Sequence, residues 1–301
     1  MSATFSPSLR RKIIDSITGK WMMICLGFFL LLPLLIGGGL IFKSMDLIRS
    51  HSISSLLFSS EWYPMQDKFG FLPFIVSSLS VTGLAVLITI PLCLFPAIYL
   101  SFFAHAKMLK IMRPVIDILA GIPSVVYGVW GVIIIVPLVG DYLAPLAGKS
   151  TMGYSLLAGA IVLAIMSIPY ILNMLLEVFR QIPSELAEAS LSLGATKWET
   201  IKKVFLKKGA AGMLSAFGLG FSKALGETIA LMMVVGNVVQ MPKSVFDAGY
   251  PLPALVANNY GEMMSIPSYE SALMFGSLLL LIIIISINIF FRFLINKYES
   301  K

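Results

Sequence analysis

An all-α, polytopic membrane fold with six transmembrane helices is predicted by three features of this 301-residue sequence. The mean hydropathy is +0.92. Apolar residues make up 58% and charged residues only 12%, about half the charge that a soluble domain needs to cover its surface. The apolar residues also gather into runs of roughly twenty, the length that crosses a hydrocarbon core as a helix. These features argue against a soluble enzyme or a nucleic-acid-binding domain, in spite of a net charge of +7.

The first run, 21–42, follows Arg10, Arg11 and Lys12. It is too long for a signal-peptide core and no small-x-small cleavage site follows it, so an uncleaved span is expected. The second run, 74–103, contains Pro91 and Pro96; the third, 114–139, contains Pro123; the fourth, 154–178, contains Pro169. Packed bundles accept such prolines because neighbouring groups re-satisfy the freed backbone. The fifth run is 211–239 and the sixth 271–295. Six crossings leave both termini on one side. That side collects most of the 22 Lys and Arg residues, clustered at Arg10 to Lys20, Lys107 to Arg113, Arg180 to Lys208 and Arg292 to Lys301. The other side holds Lys43, Arg49, Lys68, Lys149 and Lys243. The bias places both termini in the cytoplasm. The outer segments 43–73, 140–153 and 240–270 are each too short for a folded domain. The expected organisation is a terminus, first span and external loop over 1–72, a membrane domain over 73–296 that includes the cytoplasmic loop 181–208, and a tail over 297–301.

Signals for chemistry are absent. Gly148-Lys149-Ser150 looks like the end of a phosphate-binding loop, but Leu143 stands where that motif needs Gly. His51 and His105 stand alone in loops. Cys25 and Cys93 lie inside apolar runs and read as small hydrophobes, not as a disulfide or metal pair. No catalytic residue, cofactor or metal is expected, and any ATP hydrolysis belongs to another chain.

The fifth run carries two small-residue stripes, Ala216, Gly220, Ala224, Thr228 and Gly218, Ser222, Gly226, Ala230. Such stripes let helices approach closely. Between them, Lys223 and Glu227 are expected one turn apart on one face. A charge inside a span costs at least about 2.5–3.5 kcal/mol. Two readings stay open: an ion pair that locks packing, or an anion site or gate in a translocation path.

Loop 181–208 carries helix signals. Pro183 and Ser184 precede a helix-forming run with Glu185 and Glu188 in its early turns, and Gly194 is the C-cap candidate. Leu186, Ala189 and Leu193 are expected on one face, followed by a turn and a second helix from near Thr196. Glu188-Ala189-Ser190-x-x-x-Gly194 resembles the "EAA" loop of ATP-binding-cassette (ABC) importer permeases. Ser190 stands where that family usually has Ala, and its downstream Leu-Pro is Leu206-Lys207 here. The resemblance implies that Glu188, Ala189 and Gly194 form a coupling helix that docks on a cytoplasmic ATPase.

A wider pattern resembles the PstC-type permeases of phosphate ABC importers. It includes Trp62-Tyr-Pro64, Phe69-Gly-Phe-Leu-Pro-Phe74, Ala97-Ile-Tyr-Leu100, Leu119-Ala-Gly-Ile-Pro-Ser-Val-Val-Tyr-Gly128, Ala224-Leu-Gly-Glu-Thr228, Gly236-Asn237 and 251–262. That family commonly has Arg at Lys223; Lys keeps the charge but loses the planar fork. The resemblance implies a type-1 permease fold in a bacterial cytoplasmic (inner) membrane. It also implies a second, PstA-type permease, a pair of ABC ATPase subunits and an external phosphate-binding protein as partners. Lys223, Glu227, Ser124 and Tyr127 are then expected along the substrate path, with Pro123, Gly121 and Gly220 as kink or packing positions. The kink element also reads as packing alone. Rival readings are a permease for another oxyanion or small solute, an ion-coupled secondary transporter and an intramembrane enzyme.

Overall fold

The computed structural model describes residues 7–299; Lys301 of the basic tail lies outside the described residues, as does the side chain of Arg10. Helix α1 (Pro7–Ser50) carries the first apolar run and α2 (Ile53–Phe58) follows it. A two-residue hairpin pairs β1 (Trp62–Tyr63) with β2 (Lys68–Phe69). Then come α3 (Leu72–Phe102), α4 (Ala106–Ala120) and α5 (Ser124–Leu146). The fourth run is α6 (Leu156–Arg180), the loop helix is α7 (Ser184–Ser192) and α8 covers 197–208. Helices α9 (Ala210–Leu225), α10 (Ile229–Val234), α11 (Leu252–Asn259) and α12 (Pro267–Glu299) complete the chain.

Among the described residues, five helices are long and apolar enough to cross a membrane: those beginning at Ile14, Leu72, Ser124, Leu156 and Pro267. The crossing expected over 211–239 is not one helix. It ends at Leu225, breaks over 226–228 and resumes as the six-residue α10. The third span also differs from expectation. Pro114–Ala120 belongs to α4, an amphipathic helix, and the span starts at Ser124. Pro123 sets the boundary: it has no N–H to donate, adopts an extended ψ of 145° and disfavours helical Ile122 before it. The stretch 251–262, expected as an outer loop, contributes α11, whose Leu252 to Leu255 are buried against α3, α10 and α12.

Helices α3 and α6 form the centre of the bundle, and α5, α9, α10 and α12 pack around them. Helix α1 lies against α12, where Lys43 Nζ is 2.8 Å from Glu270 Oε1. Most of its apolar surface, including Trp21, Phe28 and Phe42, stays open to lipid.

At one end of the bundle, Trp62 meets Phe74, Phe71, Phe69 and Tyr269 edge-on, with ring centroids 4.9, 5.2, 5.6 and 6.0 Å away. Edge-to-face contacts of this kind add about 0.5–1.5 kcal/mol each beyond area burial, which gives the Trp62 and Phe69–Phe74 motifs a packing role. Glycines set the closest helix approaches. A Cβ on Gly128 would meet Met233 Sδ at 2.6 Å, and one on Gly220 would meet Ile171 Cδ1 at 2.5 Å. Gly220 thus has no room for a side chain against Ile171. A Cβ on Gly121 would find only ordinary contacts, from 3.5 Å outward, so that residue serves the turn and not the packing.

The chain entering α11 is irregular yet buried, and α3 satisfies it. Ser77 Oγ accepts from Tyr250 N at 3.2 Å and Ser78 Oγ accepts from Leu252 N at 2.8 Å. Ser78→Ala leaves a buried N–H without its acceptor, at a cost of about 1–3 kcal/mol. The unfolding temperature in detergent should fall by several degrees. Ser286→Ala, which removes an exposed hydroxyl bonded only to its own helix at Ile282 O, should leave it unchanged. Equal melting of the two variants would refute the bridging role of Ser78.

Candidate functional site

The break after α9 places charge at a helix end. Gly226 N donates to Lys223 O at 3.1 Å and Glu227 N to Ala224 O at 3.2 Å, closing the last turn. Thr228 Oγ1 donates to Gly226 O at 3.2 Å, and α10 starts one residue later. Because the helix stops between them, Lys223 and Glu227 are not stacked one turn apart as expected. No hydrogen bond or ion pair joins them among the described residues. Lys223 is exposed, with Nζ 4.6 Å from the centroid of the Tyr170 ring on α6, and Glu227 is half-buried. The ring face holds the ammonium without neutralising it. The arrangement leaves an anion-attracting group on an open face, with a carboxylate nearby.

Among the described residues, no hydrogen bond or ion pair joins the other expected path residues to this pair. Ser124 is half-buried at the first position of α5, directly after exposed Pro123. Tyr127 is buried, and its hydroxyl donates to Leu119 O at 2.9 Å across the Gly121–Pro123 break. It therefore clamps α4 to α5. A small apolar cavity of about 210 Å³ beside it is lined by Ile122, Val126, Tyr127, Trp130 and Ile165, and the charged pair is not among its lining.

A larger cavity, about 530 Å³, opens near the end of α10, with Tyr154, Asn237 and Asp247 in its lining. Asn237 adopts φ +53°. Its Nδ2 donates to Met232 O at 2.7 Å, while Oδ1 is buried with no hydrogen-bond partner. Gly236, the first residue of the PstC-like Gly236-Asn237 pair, is also left-handed, at φ +97°. The local signal is the pairing of two residue types that tolerate left-handed backbone.

The loop between α6 and α9 is built by its caps. Leu193 ends α7 and Gly194 follows at φ +82°, with its N–H bonded to Leu191 O at 2.9 Å and Ala195 N to Ser190 O at 3.3 Å. That 5→2 and 6→1 pair closes the helix as glycine permits and other residues resist. Thr196 then caps α8 reciprocally with Glu199: Glu199 N donates to Thr196 Oγ1 at 3.2 Å and Thr196 N to Glu199 Oε2 at 3.0 Å. The Thr196 N–H and the Thr196 hydroxyl, which donates to Glu199 Oε2 at 2.9 Å, hold the Glu199 carboxyl below the usual carboxylate range, and Lys203 adds to the effect. Ser190, where the family pattern has Ala, lies 2.9 Å from Thr200 Oγ1 and links α7 to α8 through their hydroxyls. Lys207, in place of Pro, lets helical structure run on to Lys208.

Glu188 and Ala189 are exposed on α7, and Gly194 has nothing within 4 Å of a Cβ built on it. Leu193 is the C-cap of α7, with its N–H bonded to Ala189 O at 3.3 Å, and is 88% exposed. Leu191 and Trp198 are also exposed. Behind this apolar surface, α8 is fastened to the spans. Phe205 meets Phe102 of α3 at 4.4 Å between centroids, Phe102 meets Phe179 of α6 at 5.5 Å, and Lys197 Nζ lies 4.8 Å over Phe103.

Known proteins share both the fold and the sequence. A methionine ABC transporter, MetNI in an inward-facing form, aligns with TM-score 0.59 and 20% identity over 79% of this chain and 99% of its own. A bacterial ABC transporter of the acidic polysaccharide alginate aligns with TM-score 0.57 and 14% identity over 93% of this chain and 98% of its own. In sequence, the chain is 32% identical over 261 residues to the phosphate transport system permease protein PstC of Xylella fastidiosa, covering 82% of this chain and 80% of that protein. It is 32% identical over 288 residues to the PstC protein of Pasteurella multocida, covering 91% and 89%. It is 38% identical over 218 residues to the probable ABC transporter permease YqgH of Bacillus subtilis, covering 72% and 69%. Residues 89–300 match the family described as binding-protein-dependent transport system inner membrane component, and the chain belongs to that family.

Proposed function

We propose that this chain is a transmembrane permease subunit of an ATP-driven ABC importer and that its solute is inorganic phosphate. The observation that carries the reading is Lys223, an exposed ammonium outside any ion pair among the described residues, on the open face of a broken span. The phosphate permeases among its relatives, similar over most of the chain, support the same solute. Phosphate carries negative charge, and an apolar path rejects it; a basic group in the path lowers that barrier. Glu227 nearby keeps the ammonium from holding phosphate too tightly. Ser124 borders the path after the Pro123 kink, and Tyr127 holds that kink closed.

The proposed assembly has two related but different permeases, this one and a PstA-type partner. Each grips one cytoplasmic ATPase subunit through its coupling loop, and an external phosphate-binding protein delivers solute to the outer face. Glu188, Ala189 and Gly194 form the gripping surface here. Closure of the ATPase pair is then carried by α8 to α3 and α6 through Phe205, Phe102 and Phe179, biasing a switch between outward and inward access. Both termini lie in the cytoplasm, as the Lys and Arg distribution supports.

Loss of the Lys223 charge removes an interaction worth about 1.5–3 kcal/mol, or roughly tenfold to a hundredfold. Lys223→Gln should therefore lower radiolabelled phosphate uptake by that factor at equal expression, and Lys223→Arg should retain it. Wild-type uptake by the Gln variant would remove Lys223 from the path. Unlabelled sulfate in excess should not compete; competition would favour a broader oxyanion permease.

Glu188→Lys and Gly194→Trp should insert normally but lose co-purification of the ATPase or phosphate-stimulated ATP hydrolysis. Wild-type values in both assays would refute coupling through this loop. For orientation, Cys25 and Cys93 are first replaced by Ala. An impermeant thiol reagent added outside should then label Ser150→Cys and Ser244→Cys but not Thr196→Cys; outside labelling at position 196 would invert the topology.

A further inference from the structure

A groove of about 750 Å³ lies beside the coupling loop, and the translocation reading makes no use of it. Its floor is apolar and formed by helix ends: Val178 and Ile182 leaving α6, and Gly212 entering α9. Its rim carries three ammonium groups, Lys203, Lys207 and Lys208, all exposed. Lys203 is shared with Glu199 at 3.4 Å. Among the described residues, neither Lys207 nor Lys208 is in an ion pair. Tyr298, near the end of α12, closes one side.

We propose that this groove binds the headgroup of an anionic phospholipid from the adjoining leaflet. The phosphodiester sits among the three lysines and the first acyl carbons lie on the apolar floor. Three observations select a lipid. The floor is made where two membrane helices end, so it lies at the boundary between hydrocarbon and water. The rim is cationic and contributes no carboxylate to the lining, complementary to an anionic headgroup and not to a zwitterionic one. Tyr298 has the amphipathic ring that settles at headgroup level. A bound lipid would bridge α6, α8 and the end of α12, bracing the coupling loop against the spans. The inference rests on the membrane-spanning fold and not on which solute is moved, so it survives or fails apart from the phosphate reading.

The test uses the full chain, purified in detergent with the subunits that accompany it and stripped of lipid. Phosphatidylglycerol or phosphatidylcholine is added back, and retained lipid is counted by native mass spectrometry. Wild type should keep phosphatidylglycerol and lose phosphatidylcholine. The combined Lys203→Gln, Lys207→Gln and Lys208→Gln variant should retain roughly tenfold less phosphatidylglycerol or lower. The corresponding three Lys→Arg changes should preserve retention, which separates charge from misfolding. Excess inorganic phosphate should not displace the lipid. Equal retention of both lipids, undiminished retention by the Gln variant or loss of retention in the Arg variant would each overturn the proposal. Displacement by phosphate would make the groove a free-anion site instead. Loss of the accompanying ATPase with lipid retention unchanged would make it a protein-docking surface.

Discussion

Backbone N–H and C=O groups at the depth of a hydrocarbon layer find partners inside the protein or not at all. That constraint governs where this chain is allowed to be irregular. Its helices break at 121–123, just before the span that starts at Ser124, and at 226–228, and both breaks are stitched locally. At the first, Gly121 N–H reaches Asp117 O and Ile118 O while the Tyr127 hydroxyl reaches back to Leu119 O. At the second, the Gly226 and Glu227 amides return to Lys223 and Ala224, and the Thr228 hydroxyl takes the Gly226 carbonyl. Only a break so closed tolerates the neighbouring charge of Lys223. The interruption and the charged group therefore form one device: the helix end exposes polarity, and the turn keeps its cost low.

Much of this was legible in the residues. Hydropathy located each of the five long apolar helices, and the loop between the fourth and fifth runs could be drawn from Pro183, Gly194 and Thr196, each of which acts at a helix end as its chemistry dictates. The misses share a cause. Pro114–Ala120 is apolar enough to merge with the span after it, and hydropathy does not register the amphipathic face that makes α4 a separate helix. The small-residue stripes run at four-residue spacing through Gly226 to Ala230, so periodicity carried the eye across the very place where the helix ends. Helix α11, with its paired asparagines, reads as a surface loop. The chain entering it is held by Ser77 and Ser78, more than 170 positions away, a contact no local pattern encodes.

Departures from the family pattern also acquire reasons. Ser190 is not a weakened Ala: its hydroxyl meets Thr200 and ties the two loop helices together. Lys207 replaces a residue that would have stopped the helix, and the basic stretch continues to Lys208. The loop is thus a stiff bracket rooted in the aromatic contacts of Phe102, Phe179 and Phe205. A bracket of that kind passes on displacement instead of absorbing it, because close-packed contacts yield in steps and not gradually.

The outward face of the bracket sets a condition on biogenesis. Leu191, Leu193 and Trp198 are exposed on it. A newly inserted copy without its soluble partner would therefore display an apolar knob of the sort that draws chaperones, proteases or other copies of itself. Output of the subunits must then be matched: surplus membrane chain is the hazardous excess, because it carries the exposed apolar surface. Synthesis from one message, in fixed proportion and close together, would shorten the interval before that surface is covered.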